Sequence, residues 1–338
     1  MSRAAAPAIR SRVVEALGGP RRPRSCPVCG SKTLLTLLRY RGKAKRLPYA
    51  ECLALVGCRS CGVAFSHPLP SERQLADFYS SSYWGEQKLS GSSVEKAARR
   101  HARKVEAGAH KLDLLSPWLD PGAERGPGGE GEGAARKALD FGAGTGEILD
   151  ALADRGWSTY GLEPSDLARE DLARRHAVVE AVPRKETFDL VTLQHVLEHL
   201  RDPLGVVRSL ADALVPGGHL YVAVPDLGGL AEHRDLPYVV ENGAHLFSFT
   251  RAGLSSVLSL AGLEVVAHLD GPEWDGHVRR KGRRLRCLAR KSGRVAPLPA
   301  NALEEAEEAV RAYAAAERAQ ERATPEADGI GTPAGRAL

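Results

Sequence analysis

From Ala138 to Gly146 the chain reads Ala-Leu-Asp-Phe-Gly-Ala-Gly-Thr-Gly, and few folds accommodate that run. Ala138 to Phe141, interrupted only by Asp140, has the length and apolarity of a buried strand. Glycines at 142, 144 and 146 let the backbone turn sharply and let a ligand approach without meeting a Cβ. Glu147 to Ala153 then has helical spacing, with Ile148, Leu149 and Leu152 on one face and Gly156 where a helix ends. Strand, glycine turn and helix form a corner at which unpaired helix N–H groups meet a polar or anionic ligand group.

The second half of the corner follows at the right distance. Trp157 to Leu162 reads as the next strand, and Glu163 ends it, 21 residues after Gly142. A carboxylate there can accept both hydroxyls of a ribose. The glycines run G-x-G-x-G rather than G-x-G-x-x-G, with an acidic residue just before the loop. In this the sequence resembles the class I S-adenosylmethionine-dependent methyltransferases. Their first motif matches Leu139 to Gly146, and their acidic second-strand end matches Glu163. Phe188 to Leu193 is similar to their fourth strand, Val196 to Pro203 to the segment after it, and Leu214 to Leu220 to the turn into the fifth. The resemblance implies an α/β fold, a Rossmann-like seven-stranded methyltransferase sheet. It also implies S-adenosyl-L-methionine as cofactor, bound by Asp140, Gly142, Ala143, Gly144, Gly146, Glu163 and Gln194.

Six cysteines are too few for a disulfide framework, and four of them are paired by spacing. Cys26-Pro-Val-Cys29-Gly30 and Cys58-Arg-Ser-Cys61-Gly62 are two knuckles that bring four thiolates within tetrahedral reach of one ion. We expect a small N-terminal zinc-ribbon domain over residues 25–66 with structural Zn²⁺ on Cys26, Cys29, Cys58 and Cys61, and strands over Thr33 to Arg39 and Leu53 to Gly57. A site of four thiolates has no open coordination position. Cys52 and Cys287 are read as small buried hydrophobes.

The remaining organisation follows from composition. Residues 1–24, rich in Ala, Pro and Arg, are expected to be a disordered basic arm. Residues 67–118 form a helical joint or lid, with Ser71 capping a helix through Tyr79 and a long helix from Ser93 to Leu115. The ribbon followed by His67 to Trp84 resembles a methyltransferase subgroup that includes sugar C-methyltransferases. By that resemblance Tyr79, Tyr83 and Trp84 are candidates for closing over the pocket, or for joining the two domains. Residues 119–135 read as a flexible Gly-rich loop, 136–294 as the S-adenosylmethionine-binding methyltransferase domain, 295–322 as a C-terminal helix and 323–338 as a disordered tail. No run of 18 apolar residues exists and residues 1–25 have no apolar core of a secretory signal. A cytoplasmic protein with no membrane span is therefore expected.

The candidate catalytic residues are His195, His199 and His245. His195, Glu198 and His199 are spaced i, i+3 and i+4, which on a helix gives one face. They follow the fourth strand, beside the glycine turn, where the ligand crevice of an open α/β sheet lies. One reading makes His195 or His245 a general base. Sugar C-methyltransferases are similar around His245 but carry a Glu where this chain has Ala244. A second reading binds a divalent cation on His195, Glu198, His199 and His245. It resembles O-methyltransferases of quinone biosynthesis and small-RNA methylation, which hold Mg²⁺ on Glu-x-x-Glu-His plus a distant His; His195 in place of the first Glu would favour Zn²⁺ or Mn²⁺. A third reading has Glu198 and His199 merely orienting a loop.

These features lead us to expect methyl transfer to a hydroxyl, carbon or amine of a small molecule such as a sugar or natural-product intermediate. The alternatives are RNA methylation and a non-catalytic module that keeps the cofactor fold. Net charge is +5, but residues 1–46 hold twelve Lys or Arg against one acid, and residues 279–294 hold nine more. Basic arms suit nucleic acid, yet only 5% of residues are aromatic and no aromatic-basic RNA motif stands out. A small-molecule acceptor is therefore preferred over nucleic acid. The oligomeric state has no signature here.

Overall fold

A computed structural model of the chain describes residues 23–39, 54–78, 94–119, 135–233, 245–269 and 284–323. The basic arm, Cys52, Tyr79, Tyr83, Trp84, Ala244, the Gly-rich loop and the C-terminal tail lie outside these residues.

Strands β1 (Leu34–Arg39), β2 (Ala54–Cys58) and β3 (Ala64–His67) form an antiparallel ribbon. A short helix α1 (Glu72–Phe78) follows, its Ser71 hydroxyl accepting from the Gln74 N–H. The helix α2 (Val94–Leu119) extends beyond the expected Leu115, with Pro117 in its last turn. Its apolar stripe buries Leu112, Leu115 and Leu119.

The second sheet begins with β4 (Lys137–Phe141), the glycine turn and α3 (Glu147–Ala153). It continues with β5 (Ser158–Leu162), α4 (Asp166–Leu172), β6 (Ala177–Val178), β7 (Phe188–Gln194), α5 (Pro203–Ala213) and β8 (Leu214–Pro225). After α6 (Leu230–His233) come β9 (Phe247–Ser248), α7 (Arg251–Leu260), β10 (Leu263–His268), β11 (Arg284–Lys291) and α8 (Glu304–Ala323). Thr250 caps α7 by accepting from the Gly253 N–H.

The large sheet has seven strands in the order β10-β11-β8-β7-β4-β5-β6. The pairs β4–β5, β5–β6, β4–β7 and β7–β8 are parallel, while β11 runs antiparallel to both neighbours. The central strands read as continuous apolar runs because helices cover both faces. On one face α2 and α3 pack Leu115, Leu149 and Leu152 against Ala138, Leu190 and Tyr221. On the other, α5 and α7 pack Leu210 and Leu258 against Leu139, Val191 and Val222. The chain runs outward from β4 to β6, then returns to place β7 on the other side of β4. That reversal opens a crevice beyond the C-terminal ends of β4 and β7.

Three details depart from the sequence reading. The third strand, expected over Ala177 to Ala181, ends at Val178, with the Val179 N–H making the last ladder bond to the Gly161 carbonyl of β5. The fifth strand starts at Leu214 rather than Leu220; Leu214 pairs with Phe188, and Gly217, at φ 77°, carries an irregularity within it. The ribbon sheet has a fourth strand, β9, contributed from beyond α6 and paired to β3 as Ala64–Ser248 and Phe65–Phe247. Helix α8 closes the ribbon's other side, burying Leu303, Ala306 and Val310 against Leu38, Leu55, Leu227 and Leu230.

Candidate active site

The glycine turn is held from beneath by β5. The N–H groups of Gly142 and Ala143 both donate to the Leu162 carbonyl, at 2.8 and 3.1 Å. Gly142 stands at φ 78°, and a Cβ there would lie 2.5 Å from Val196 Cγ2, so the turn and the segment after β7 are in direct contact. Gly144, at φ 54°, differs: a Cβ there would meet nothing within 4 Å. It faces open space at the mouth of the crevice, where a bound molecule would take the volume.

Glu163, only 5% exposed, accepts from the Gly144 N–H and the Ser165 N–H, both at 2.8 Å. One oxygen braces the glycine turn and the other the start of α4, which leaves lone pairs on each for a ligand's hydroxyls. Asp140, one residue before the end of β4, is buried and accepts from the Thr192 hydroxyl on β7. Burial pushes its carboxyl up to about 7, against the lowering effect of that hydrogen bond. Glu147 is tied to Lys104 and Thr145 at 2.6 and 2.7 Å, which fixes the first turn of α3 against α2. Gln194, at the end of β7, accepts from Lys111 Nζ of α2 at 2.7 Å.

His195, Glu198, His199 and His245 do come together, but not on a helical face. His195 adopts a left-handed φ of 54°, and its N–H donates to the Ala223 carbonyl of β8. Only a single 3-10 turn, Leu197–His199, follows. The left-handed residue and the tight turn, rather than an α-helix, direct the side chains inward. Glu198 is the hub. Its Oε1 lies 3.3 Å from His195 Nδ1, 3.9 Å from His199 Nε2 and 4.0 Å from His245 Nε2. The His199 and His245 rings meet edge to face with centroids 4.8 Å apart.

Burial alone would raise the Glu198 carboxyl; the hydrogen bond to His195 and the charges of His199, His195 and His245 outweigh it and hold it at about 2. Glu198 is thus an ionised, almost fully buried carboxylate, and its Oε2 has no hydrogen-bond partner among the described residues. His245 is delivered from the ribbon side. Ser66 on β3 donates from Oγ to the His245 carbonyl at 3.3 Å and from its N–H to the Leu246 carbonyl at 2.9 Å. The Leu246 N–H in turn donates to the Glu198 carbonyl at 2.7 Å.

The four knuckle thiols also converge, with Cys26 Sγ 3.7 Å from Cys61 Sγ and Cys29 Sγ 3.5 Å from Cys58 Sγ. All four sulfurs lie within 4.8 Å of one another. Each knuckle turns back on itself: the Gly30 N–H donates to the Cys26 carbonyl and the Gly62 N–H to the Cys58 carbonyl. Cys287 is fully buried on β11, a small apolar residue of the sheet. Among the described residues, no helix is long and apolar enough to cross a membrane.

The sequence reading missed Lys111 and the ribbon's hold on His245. Lys111 had a signal, since it sits beside the stripe Gly108, Leu112, Leu115 and Leu119 rather than on the opposite, solvated face. The pairing of β3 with β9 had none, because a two-residue strand leaves no periodicity.

A methyltransferase-domain family model matches residues 98–268, half of the chain. A ubiquinone biosynthesis O-methyltransferase of Aliivibrio fischeri is 36% identical over 102 residues, covering 25% of this chain and 42% of the relative. The match therefore spans less than half of that protein's length. Among solved structures, a Burkholderia thailandensis 1,6-didemethyltoxoflavin-N1-methyltransferase aligns over 68% of this chain and 96% of its own at 18% identity and a TM-score of 0.46. An S-adenosylmethionine-dependent methyltransferase from Mesorhizobium loti aligns over 54% and 98% at 18% identity and a TM-score of 0.41. With the family model covering half the chain and the seven-stranded sheet and glycine corner in their places, this chain belongs to the class I S-adenosylmethionine-dependent methyltransferases.

Proposed function

We propose that this protein transfers a methyl group from S-adenosylmethionine to a hydroxyl of a small molecule, using the cluster around Glu198 to handle the acceptor's proton. The observation that carries the reading is the meeting of His195, His199 and His245 at one buried carboxylate, directly beside the glycine turn. The name of the Aliivibrio relative, an O-methyltransferase, favours oxygen over carbon or nitrogen.

Asp140, Gly142, Ala143, Gly144, Gly146, Glu163 and Gln194 are the residues we assign to the cofactor. The open space at Gly144 and the spare lone pairs of Glu163 fit a nucleoside with an amino-acid tail. When bound, the cofactor supplies an electrophilic methyl on a sulfonium. The chain's part is alignment and proton transfer. An imidazole, His199 or His245, takes the acceptor's O–H proton. That deprotonation would leave the acceptor oxygen's lone pair free for the methyl that the cofactor would supply. Glu198, held ionised at about 2, stabilises the imidazolium that results.

A divalent cation is the second reading, favoured by one observation. Glu198, His199 and His245 place three ligand atoms within 4.8 Å of one another, and Glu198 Oε2 is buried without a partner among the described residues. A cation there would lower the acceptor's pKa in place of a base. The four ribbon thiols suit Zn²⁺ in a closed structural site, since thiolates this close repel one another unless a cation sits among them.

Transfer of labelled methyl to a panel of phenols, sugars and amines tests the activity. His245→Asn and Glu198→Gln should each lower kcat about 100-fold with little effect on binding of S-adenosylhomocysteine. Full activity after dialysis against EDTA would remove the cation reading. Wild-type activity in both variants would overturn the assignment of the cluster.

A further inference from the structure

A cavity of about 520 Å³ opens at the far end of the sheet from the crevice, where β4 and β5 begin. The last turns of α2 form one wall. Leu112, Ser116 and Leu119 are spaced i, i+4 and i+7 there, so they share one face of that helix. The turn from α3 into β5 forms another wall. Gly156, at φ 78°, reverses the chain after α3, and the Ser158 N–H then donates to the Arg136 carbonyl at 2.8 Å. That bond sets Trp157 beside Arg136, whose guanidinium carbon stands 5.4 Å from the centre of the indole ring. From the same turn Arg155 reaches across to α2, where it donates to the Ala109 carbonyl at 2.9 Å and pairs with Asp113.

We propose that this cavity is a binding site for a small planar aromatic anion, separate from the crevice of methyl transfer. Its volume falls within the roughly 300–1,000 Å³ typical of small-molecule pockets. Two leucines and an indole face supply the apolar surface that a flat ring covers, and stacking on the indole adds to that burial. The lining carries two guanidiniums against one carboxylate, Asp113, so its charge complements an anion. A guanidinium also presents the planar fork that a carboxylate accepts in two parallel bonds. The six residue steps from Trp157 to Glu163 span roughly 20 Å of strand. An occupant of the cavity is therefore not the methyl acceptor.

Calorimetric titration of the full-length chain with 2-naphthoate tests the site. Affinity should be the same with and without saturating S-adenosylhomocysteine. 2-Naphthamide, neutral and of the same shape, should bind about tenfold more weakly or worse. Arg136→Met should weaken 2-naphthoate by a similar factor, and Arg136→Lys, which keeps a cation over the indole, should recover most of the loss. Ser116→Trp fills the cavity from α2 without removing a charge and should abolish binding. An unchanged Tm in each variant shows that the fold is kept. The site is overturned if the wild type does not bind 2-naphthoate, if S-adenosylhomocysteine displaces it, or if binding survives Ser116→Trp. Equal affinity for the acid and the amide, with Arg136→Met unchanged, would overturn the anion class. If S-adenosylhomocysteine itself fails to bind, the cofactor assignment falls, and the two cavity variants still decide this proposal.

Discussion

Glu163→Gln should cost both stability and cofactor affinity, because one carboxylate serves two purposes. In the native chain each oxygen accepts one backbone N–H, from Gly144 and from Ser165, at 2.8 Å. A carboxamide of the same shape has one oxygen and one NH₂. It can accept from one of these N–H groups but presents a donor to the other. A largely buried donor left unsatisfied costs roughly 1–3 kcal/mol, so we expect about 2 kcal/mol of destabilisation. At roughly 2–4 °C per kcal/mol for a domain of this size, Tm should fall by about 4–8 °C. The same substitution removes the charge from the acceptor proposed for the ribose hydroxyls, worth a further factor of about 10–100 in S-adenosylhomocysteine affinity. Thermal melting by circular dichroism and calorimetric titration, both at pH 7.5 with NAD as control ligand, read the two effects separately. A lowered affinity with unchanged Tm would refute the bracing of the glycine turn. A lowered Tm with unchanged affinity would refute the contact to ribose.

Three further outcomes follow from the geometry. Gly142→Ala places a Cβ at φ 78° and 2.5 Å from Val196 Cγ2, so urea unfolding should show a loss of about 2–3 kcal/mol; adding Val196→Ala should recover part of it, and no recovery would mean the clash is not the cause. Cys58→Ser should abolish uptake of the Zn²⁺ proposed for the four thiols, read by atomic absorption, and also lower methyl transfer several-fold, because the ribbon strand β3 holds the His245 carbonyl through Ser66; full activity without metal would separate ribbon from site. His219, depressed from 6.5 to about 4 by burial and then by Arg290, contributes stability that is present above about pH 6.5 and lost as pH falls toward 4. A fall from 6.5 to about 4 corresponds to about 3 kcal/mol, reduced to roughly 2 kcal/mol by solvent screening of this partly exposed ring, so His219→Gln should flatten that part of the stability–pH curve measured by denaturant titration.

What the sequence revealed, it revealed through local chemistry. β4, β7 and β10 are short, mainly apolar runs broken by single polar residues such as Asp140, Asp189 and Glu264, α3 has a helical apolar face, and Thr250 and Gly262 mark the two ends of α7 by side chain and by backbone freedom. The long-range parts were hidden for physical reasons. Leu214 to Gly218 reads as a turn, yet Leu214 already pairs with Phe188, so the strand begins before the glycines. The spacing of His195, Glu198 and His199 suggested a helix; a left-handed His195 and one 3-10 turn bring the same side chains inward by another route. The position of Lys111 beside the apolar stripe of α2 was legible, but its partner was not, because the facing strand that supplies Gln194 lies 83 residues further along.

The ribbon sheet takes its last strand from beyond the methyltransferase sheet, at Phe247–Ser248, and its second knuckle presses on the same region. A Cβ on Gly62 would strike the Ala302 carbonyl oxygen at 2.2 Å, and one on Gly253 would approach the Gly62 carbonyl oxygen at 2.9 Å. With Phe65, Phe247 and Phe249 in one core, the ribbon is not a detachable module. Excising residues 23–67 would strip a β-edge and an aromatic cluster into water. Ribbon and catalytic sheet should therefore melt in a single transition, and exchanging the ribbon between homologues requires that the segment around His245 travel with it.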